Sequence, residues 1–163
     1  MQWIQAAIIG FIAAFLVQFA TTAAIALGVA PFNLMPAEAF LLTQGFNGGS
    51  ASIMLHYGYA IAAVVTMVAL SPHNLSVGKG VMLGGIMWLA MMLIVSPLIG
   101  WGFFGLGAVM HTTLNPLYVA ASGWYPAFTF LQHMLFGVIA GGFASAWIDI
   151  RMPRQTTHLR YYS

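Results

Sequence analysis

The 163-residue chain has no cysteine, only four Lys+Arg and only two Asp+Glu. The first absence excludes disulfides, thiolate nucleophiles, iron–sulfur clusters and cysteine-based zinc sites. The scarcity of charge says more. A charged fraction of 4% lies far below the roughly 25% of soluble domains, whose surfaces need charge to stay in solution. Nothing is charged before Glu38, between Glu38 and Lys79, or from Gly80 through Ile148. A soluble globular domain, a disordered tail and a nucleic-acid binder are thereby excluded. The formal net charge of +2 comes from a handful of groups and points to no anionic partner. Phosphate-loop, dinucleotide-binding and nucleophile-elbow motifs are missing too. The two carboxylates, Glu38 and Asp149, fall on opposite faces of the topology derived below and cannot act as a pair. No catalytic residue is assigned, and an activity of the chain's own is not expected.

What fills the chain instead is apolar: 61% of its residues are hydrophobic. A membrane helix needs about 20 mainly apolar residues, and four segments qualify. They run from about Trp3 to Val29, Ser50 to Leu70, Val77 to Ile99 and Tyr125 to Ile148, followed by a polar tail over 149–163. The N-terminus lacks the basic residues of a secretory leader and its apolar stretch is too long for one, so it reads as a retained helix. Continuous apolar runs exclude the alternating segments of a membrane barrel. The expected fold is all-α, a single four-helix transmembrane domain over 1–163 built as two hairpins. Lys79 lies in the second link, and Arg151, Arg154 and Arg160 follow the fourth span. The positive-inside rule then places both termini in the cytoplasm of a prokaryotic cell, with the protein in the inner membrane. The two longer links, about 30–50 and 100–124, face outward, with Trp101, Tyr118, Trp124 and Tyr125 suited to an interfacial belt.

The halves show a weak parallel repeat. Each is a span with small residues, a Pro- and Gly-bearing outward link, and a span that opens with histidine: His56-Tyr57-Gly58 in one, His133-Met134-Leu135-Phe136-Gly137 in the other. Small residues recur at steps of four in Ala6, Gly10 and Ala14, in Gly80 and Gly84, and in Gly137, Gly141 and Ser145. Such stripes let backbones approach closely. They serve either the bundle itself or docking onto a larger membrane partner. Gln18, Thr21 and Thr22 at mid-depth should hydrogen-bond across helices, because hydrocarbon offers no partner.

An ionisable residue inside a span is a functional candidate, which singles out His56 and His133. Imidazoles facing each other from two helices are what axial ligation of haem b requires, and Tyr57, Tyr59, Phe128, Phe130 and Phe136 could line such a site. The outward side offers no basic residue for haem propionates. Adding His111 and Glu38 would instead make a surface zinc or copper site. The plain alternative is that each histidine bonds to a backbone carbonyl or to water. His73 reads as a turn residue and His158 as part of the tail.

Several segments resemble the DUF6789/YagU-like group of small four-helix membrane proteins of unknown function. They are Pro31-Phe32-Asn33, His56-Tyr57-Gly58, Lys79 through Trp88, Pro97 through Gly105 and His133 through Gly141. The resemblance covers most of the chain. It implies no activity, but an accessory role beside respiratory oxidase components. The expected function is thus a non-catalytic subunit of a larger membrane complex, of the respiratory haem–copper oxidase type, with no cofactor of its own. Its partners would be the lipid bilayer and other membrane subunits. The alternative is a haem b or quinone-linked electron-transfer subunit using His56 and His133. A small transporter or channel is the third reading, for which mid-membrane polar groups are scarce.

Overall fold

The computed structural model describes residues 1–107, 114–120 and 122–148. Within them, regular structure is entirely helical: α1 (Gln2–Ala26), α2 (Pro36–Thr43), α3 (Gly49–Leu70), α4 (Val77–Ala90), α5 (Ser96–Ile99) and α6 (Trp124–Trp147). A π-helical turn, Met91–Val95, joins α4 to α5, so that Val77–Ile99 forms one continuous span. Its cause lies next to it. Pro97 has no amide hydrogen and its ring crowds the carbonyl four residues earlier, so the preceding turn must widen. Four helices, α1, α3, α4–α5 and α6, are long and apolar enough to cross a membrane. They match the four expected spans to within three residues at either end, and the chain is an integral membrane protein by this measure. Arg151, Arg154, Arg160, His158, Asp149 and His111 lie outside the described residues, as does the whole tail.

The helices pair as two hairpins, α1 with α3 and α4 with α6, and α1 against α6 joins them. With no hydrophobic drive between helices in lipid, close backbone approach has to hold the pairs. The small-residue stripes do this work inside the bundle. A methyl group added at Gly10 would lie 2.8 Å from the Ile61 Cα of α3. One at Gly141 would lie 2.6 Å from the Ser76 carbonyl, and methyl groups at Gly80 and Gly137 would each overlap the other's carbonyl oxygen. Gly84 likewise faces the His133 carbonyl. None of the three stripes is left over as a spare docking face. The residues that remain exposed on the span helices, such as Phe15, Phe19, Met54, Ile86 and Phe143, form the surface that lipid would cover.

Both longer links gather at one end of the bundle and build a cap. Link 30–50 holds the short helix α2, which Pro36 starts at a position where a missing amide costs nothing. The second link contributes a 3₁₀ turn, Phe103–Gly105. A bridge between Phe32 and Val119 and a 2.7 Å bond from the Ala120 amide to the Pro31 carbonyl tie the links together. Phe32, Trp101 and Tyr125 make the cap's core, with Trp101 and Tyr125 rings 5.3 Å apart at 81°. This corrects the interfacial belt expected from sequence. Trp101 and Tyr125 are fully buried, because the Trp101 indole donates to the Leu117 carbonyl at 2.9 Å and is drawn inward. Trp124 does stay partly exposed, donating to the Val29 carbonyl at 2.9 Å.

Candidate functional site: a cavity between two histidines

Beneath the cap the hairpins part around a cavity of about 410 Å³, within the range of small-molecule sites. Each span gives it one helical face. Ala14, Val17 and Thr21 come from α1, Leu55, His56, Tyr59 and Ala60 from α3, Met87, Ala90 and Met91 from α4 and its π turn, and Thr129, Gln132, His133 and Phe136 from α6. The spacings of three, four and seven residues are those of a single helix face. The widened turn at Met91–Val95 brings Met91 and Val95 to the wall, and α2 closes the top with Pro36, Ala37 and Phe40. Leu55, Tyr59, Ala90 and Leu98 are themselves solvent-exposed at the rim, so the cavity opens sideways between helices.

His56 and His133, on the non-adjacent helices α3 and α6, line this one space. His133 Nδ1 lies 2.8 Å from the Thr129 carbonyl. A carbonyl oxygen only accepts, so in the neutral ring Nδ1 carries the hydrogen and Nε2 keeps a lone pair. The Thr129 hydroxyl donates to the Tyr125 carbonyl at 2.8 Å, and the Trp88 indole donates to the Pro126 carbonyl at 3.1 Å, which fixes this stretch of α6 against α4. His56 sits against the Ala14 carbonyl of α1 and edge-on to the rings of Tyr57 and Tyr59, at 5.5 and 5.6 Å. Its Nε2 is buried with no hydrogen-bond partner. Each ring therefore presents an unpaired nitrogen.

The other expected residues divide. Of the aromatic lining, Tyr59 and Phe136 reach the cavity. Tyr57 instead stacks on Phe11, Phe128 packs in the cap against Phe32, and Phe130 turns to Trp88. On α6 Phe128 and Phe130 each lie one residue from Thr129, about 100° around the helix from the Thr129–Gln132–His133–Phe136 face, which explains the error. Thr21 does bond across helices: the Gln132 side-chain amide donates to its hydroxyl, which donates in turn to the Val17 carbonyl at 2.8 Å. Thr22 is exposed, and the Gln18 carbonyl oxygen is buried without a partner. Sequence reasoning missed Gln132, whose signal was its place beside His133 on the polar face of an apolar helix.

Glu38 does not join the two histidines. It borders a second, smaller cavity of about 270 Å³ together with Gln18, Ser52 and His56. Among the described residues no three of His, Asp and Glu converge as metal ligands, and His111 lies outside them. The fold and site thus define a small integral membrane four-helix bundle with a sideways-opening apolar cavity between two histidines. Comparison with known family models, curated proteins and solved structures finds no match to this chain.

Proposed function

We propose that the protein binds an apolar ligand of the isoprenoid quinol class within the membrane, its ring held between His56 and His133. The observation that carries this reading is that both imidazoles line one apolar cavity, with His133 Nδ1 committed to the Thr129 carbonyl and His56 Nε2 left without a hydrogen-bond partner. A lone-pair nitrogen wants a donor, and a hydroquinone carries two hydroxyl donors on opposite edges of a flat apolar ring. The Met and Phe lining suits that ring, and an opening between helices lets a lipid tail remain in the bilayer. The Gln132 amide and Thr21 hydroxyl add polar atoms at the wall. Haem b would use the same two nitrogens. Among the described residues no Lys or Arg lines the cavity to neutralise its propionates, and that favours the quinol.

The reading of the chain as a structural subunit of a respiratory complex drew on spare packing stripes, and these are used within the bundle. It predicts partner subunits that co-purify in mild detergent. Orientation with the Lys79 end in the cytoplasm would put α2 and the cap outside.

The test uses purified protein in detergent and a short-chain benzoquinol that quenches tryptophan fluorescence. Saturable quenching is expected, weakened at least about tenfold by His56→Ala and by His133→Ala, a loss of about 1.4 kcal/mol each. Quenching that is non-saturable, or equal in all three proteins, sinks the proposal. A Soret band that disappears with either histidine would replace the quinol by haem.

A further inference from the structure

The second cavity shares His56 with the first but differs from it in character. Gln18 of α1, Glu38 of α2 and Ser52 of α3 border it, beside Met35, Ala37 and Ile53. Two of the residues that border it each hold a buried atom without a hydrogen-bond partner, the Gln18 side-chain carbonyl oxygen and His56 Nε2. Leaving such a group dry is unfavourable, and in hydrocarbon neither lipid nor a neighbouring helix relieves it. A space of about 270 Å³ with polar groups on several sides is large enough for several waters. Its Glu38 end belongs to the cap. There Gly48 makes room for the acid, since a methyl group at 48 would lie 2.6 Å from the Glu38 Cγ. The side chain thus rests at the N-terminal end of α3, where the exposed amides favour a carboxylate.

We infer that this cavity is a water-filled inlet through which protons pass between the aqueous phase on the cap side and His56. The imidazole then stands between a wet compartment bearing Glu38 and an apolar one shared with His133. The titratable groups facing His56 are Glu38 from α2, His133 from α6 and, on its own helix, Tyr57 and Tyr59, while α1 and α4 bring none. A group so placed can take the proton of a ligand hydroxyl and return it to water without opening the apolar side. That use rests on the quinol reading, whereas the inlet itself does not.

The absence of cysteine from the chain makes the test direct. Single cysteines are placed at Gln18 and His56 on the inlet, and at their lipid-facing neighbours Phe19 and Met54, which are 69% and 75% exposed. Each variant is reconstituted in vesicles and treated with a charged, membrane-impermeant thiosulfonate. The reagent attacks only thiolate, so its rate reports both water and a route for the proton. Cysteines at 18 and 56 should react at least about ten times faster than those at 19 and 54, and only from the cap side. Equal rates within each pair, or access from the Lys79 side, would overturn the inlet. Should His56→Cys fail to fold, the Gln18 and Phe19 pair decides alone. Labelling at the inlet without quinol binding would remove the proposed ligand and leave the inlet, and the reverse result would do the opposite.

Discussion

Along the pair α4 and α6, Gly80, Gly84, Gly137 and Gly141 bring two backbones into contact, and neither cavity runs between them there. Along α1 and α3 only Gly10 does so, and toward the cap a cavity bordered by Gln18, Ser52 and His56 opens beside them. In lipid, polar atoms are affordable only where something can satisfy them. The first hairpin holds both the orphaned polar atoms of the inlet and its carboxylate, whereas the second supplies a rigid wall with one oriented histidine. Rigidity and chemistry are thus divided between two halves whose sequences repeat each other weakly.

The largest effect should come from the tight pair. Gly80→Ala or Gly137→Ala puts a methyl group onto a facing carbonyl, and nothing but a backbone shift relieves the overlap. Overpacking of this kind costs about 1–3 kcal/mol. Unfolding in mixed detergent, followed by circular dichroism, should show both variants less stable than Gly10→Ala, where the nearest facing atoms are the Ile61 Cα at 2.8 Å and the Ala60 carbonyl oxygen at 3.1 Å. Equal losses would erase the distinction between the hairpins.

How much of this could be read beforehand follows the same division. Span positions, hairpin pairing and the shared cavity of His56 and His133 rest on apolar run length, small-residue steps and a repeated motif, all local properties of sequence. The outcome of competition between surfaces was not legible. Whether the stripe at Gly80 and Gly84 meets α6 or an outside partner depends on which contact is the more favourable, a comparison that a local stripe does not contain. Trp101 reads as interfacial by type yet is buried, because the carbonyl of Leu117, 16 residues further along the same link, accepts its indole hydrogen. The π turn at Met91–Val95 needs only Pro97 to be anticipated, but its consequence, Met91 in the cavity wall, needs the other three helices.

An intermediate effect separates cavity from scaffold. Ala90 lines the cavity and is exposed at its rim, so Ala90→Phe fills the mouth without meeting a packed neighbour. Quinol quenching should fall at least about tenfold, with stability unchanged within about 0.5 kcal/mol. Retained affinity would place the ligand elsewhere. The link between the hairpins comes next. Thr21→Val removes the hydroxyl that accepts from Gln132, and interhelical hydrogen bonds in membranes contribute about 0.6 kcal/mol on average, up to about 1.7. The expected loss is about 1 kcal/mol by the same unfolding measurement, and Gln132→Leu should lose no more when added to it.

The smallest effect has the opposite sign. Gly58 lies on α3 two residues, about half a turn, from His56, and a methyl group there would meet nothing within 4 Å. Its neighbours Tyr59 and Leu55 are exposed to the bilayer side, so this glycine serves neither hairpin contact nor cavity wall. Alanine restricts the unfolded chain and suits a helix better than glycine does, by up to about 1 kcal/mol in water. Without water to compete for the backbone the gain should shrink to a few tenths. Gly58→Ala is therefore expected to unfold at slightly higher detergent denaturant than the parent, while the same replacement at Gly80 unfolds well below it. A loss at Gly58 comparable with that at Gly80 would mean that α3 too has a close partner on this face, and the looseness assigned to the first hairpin would be wrong.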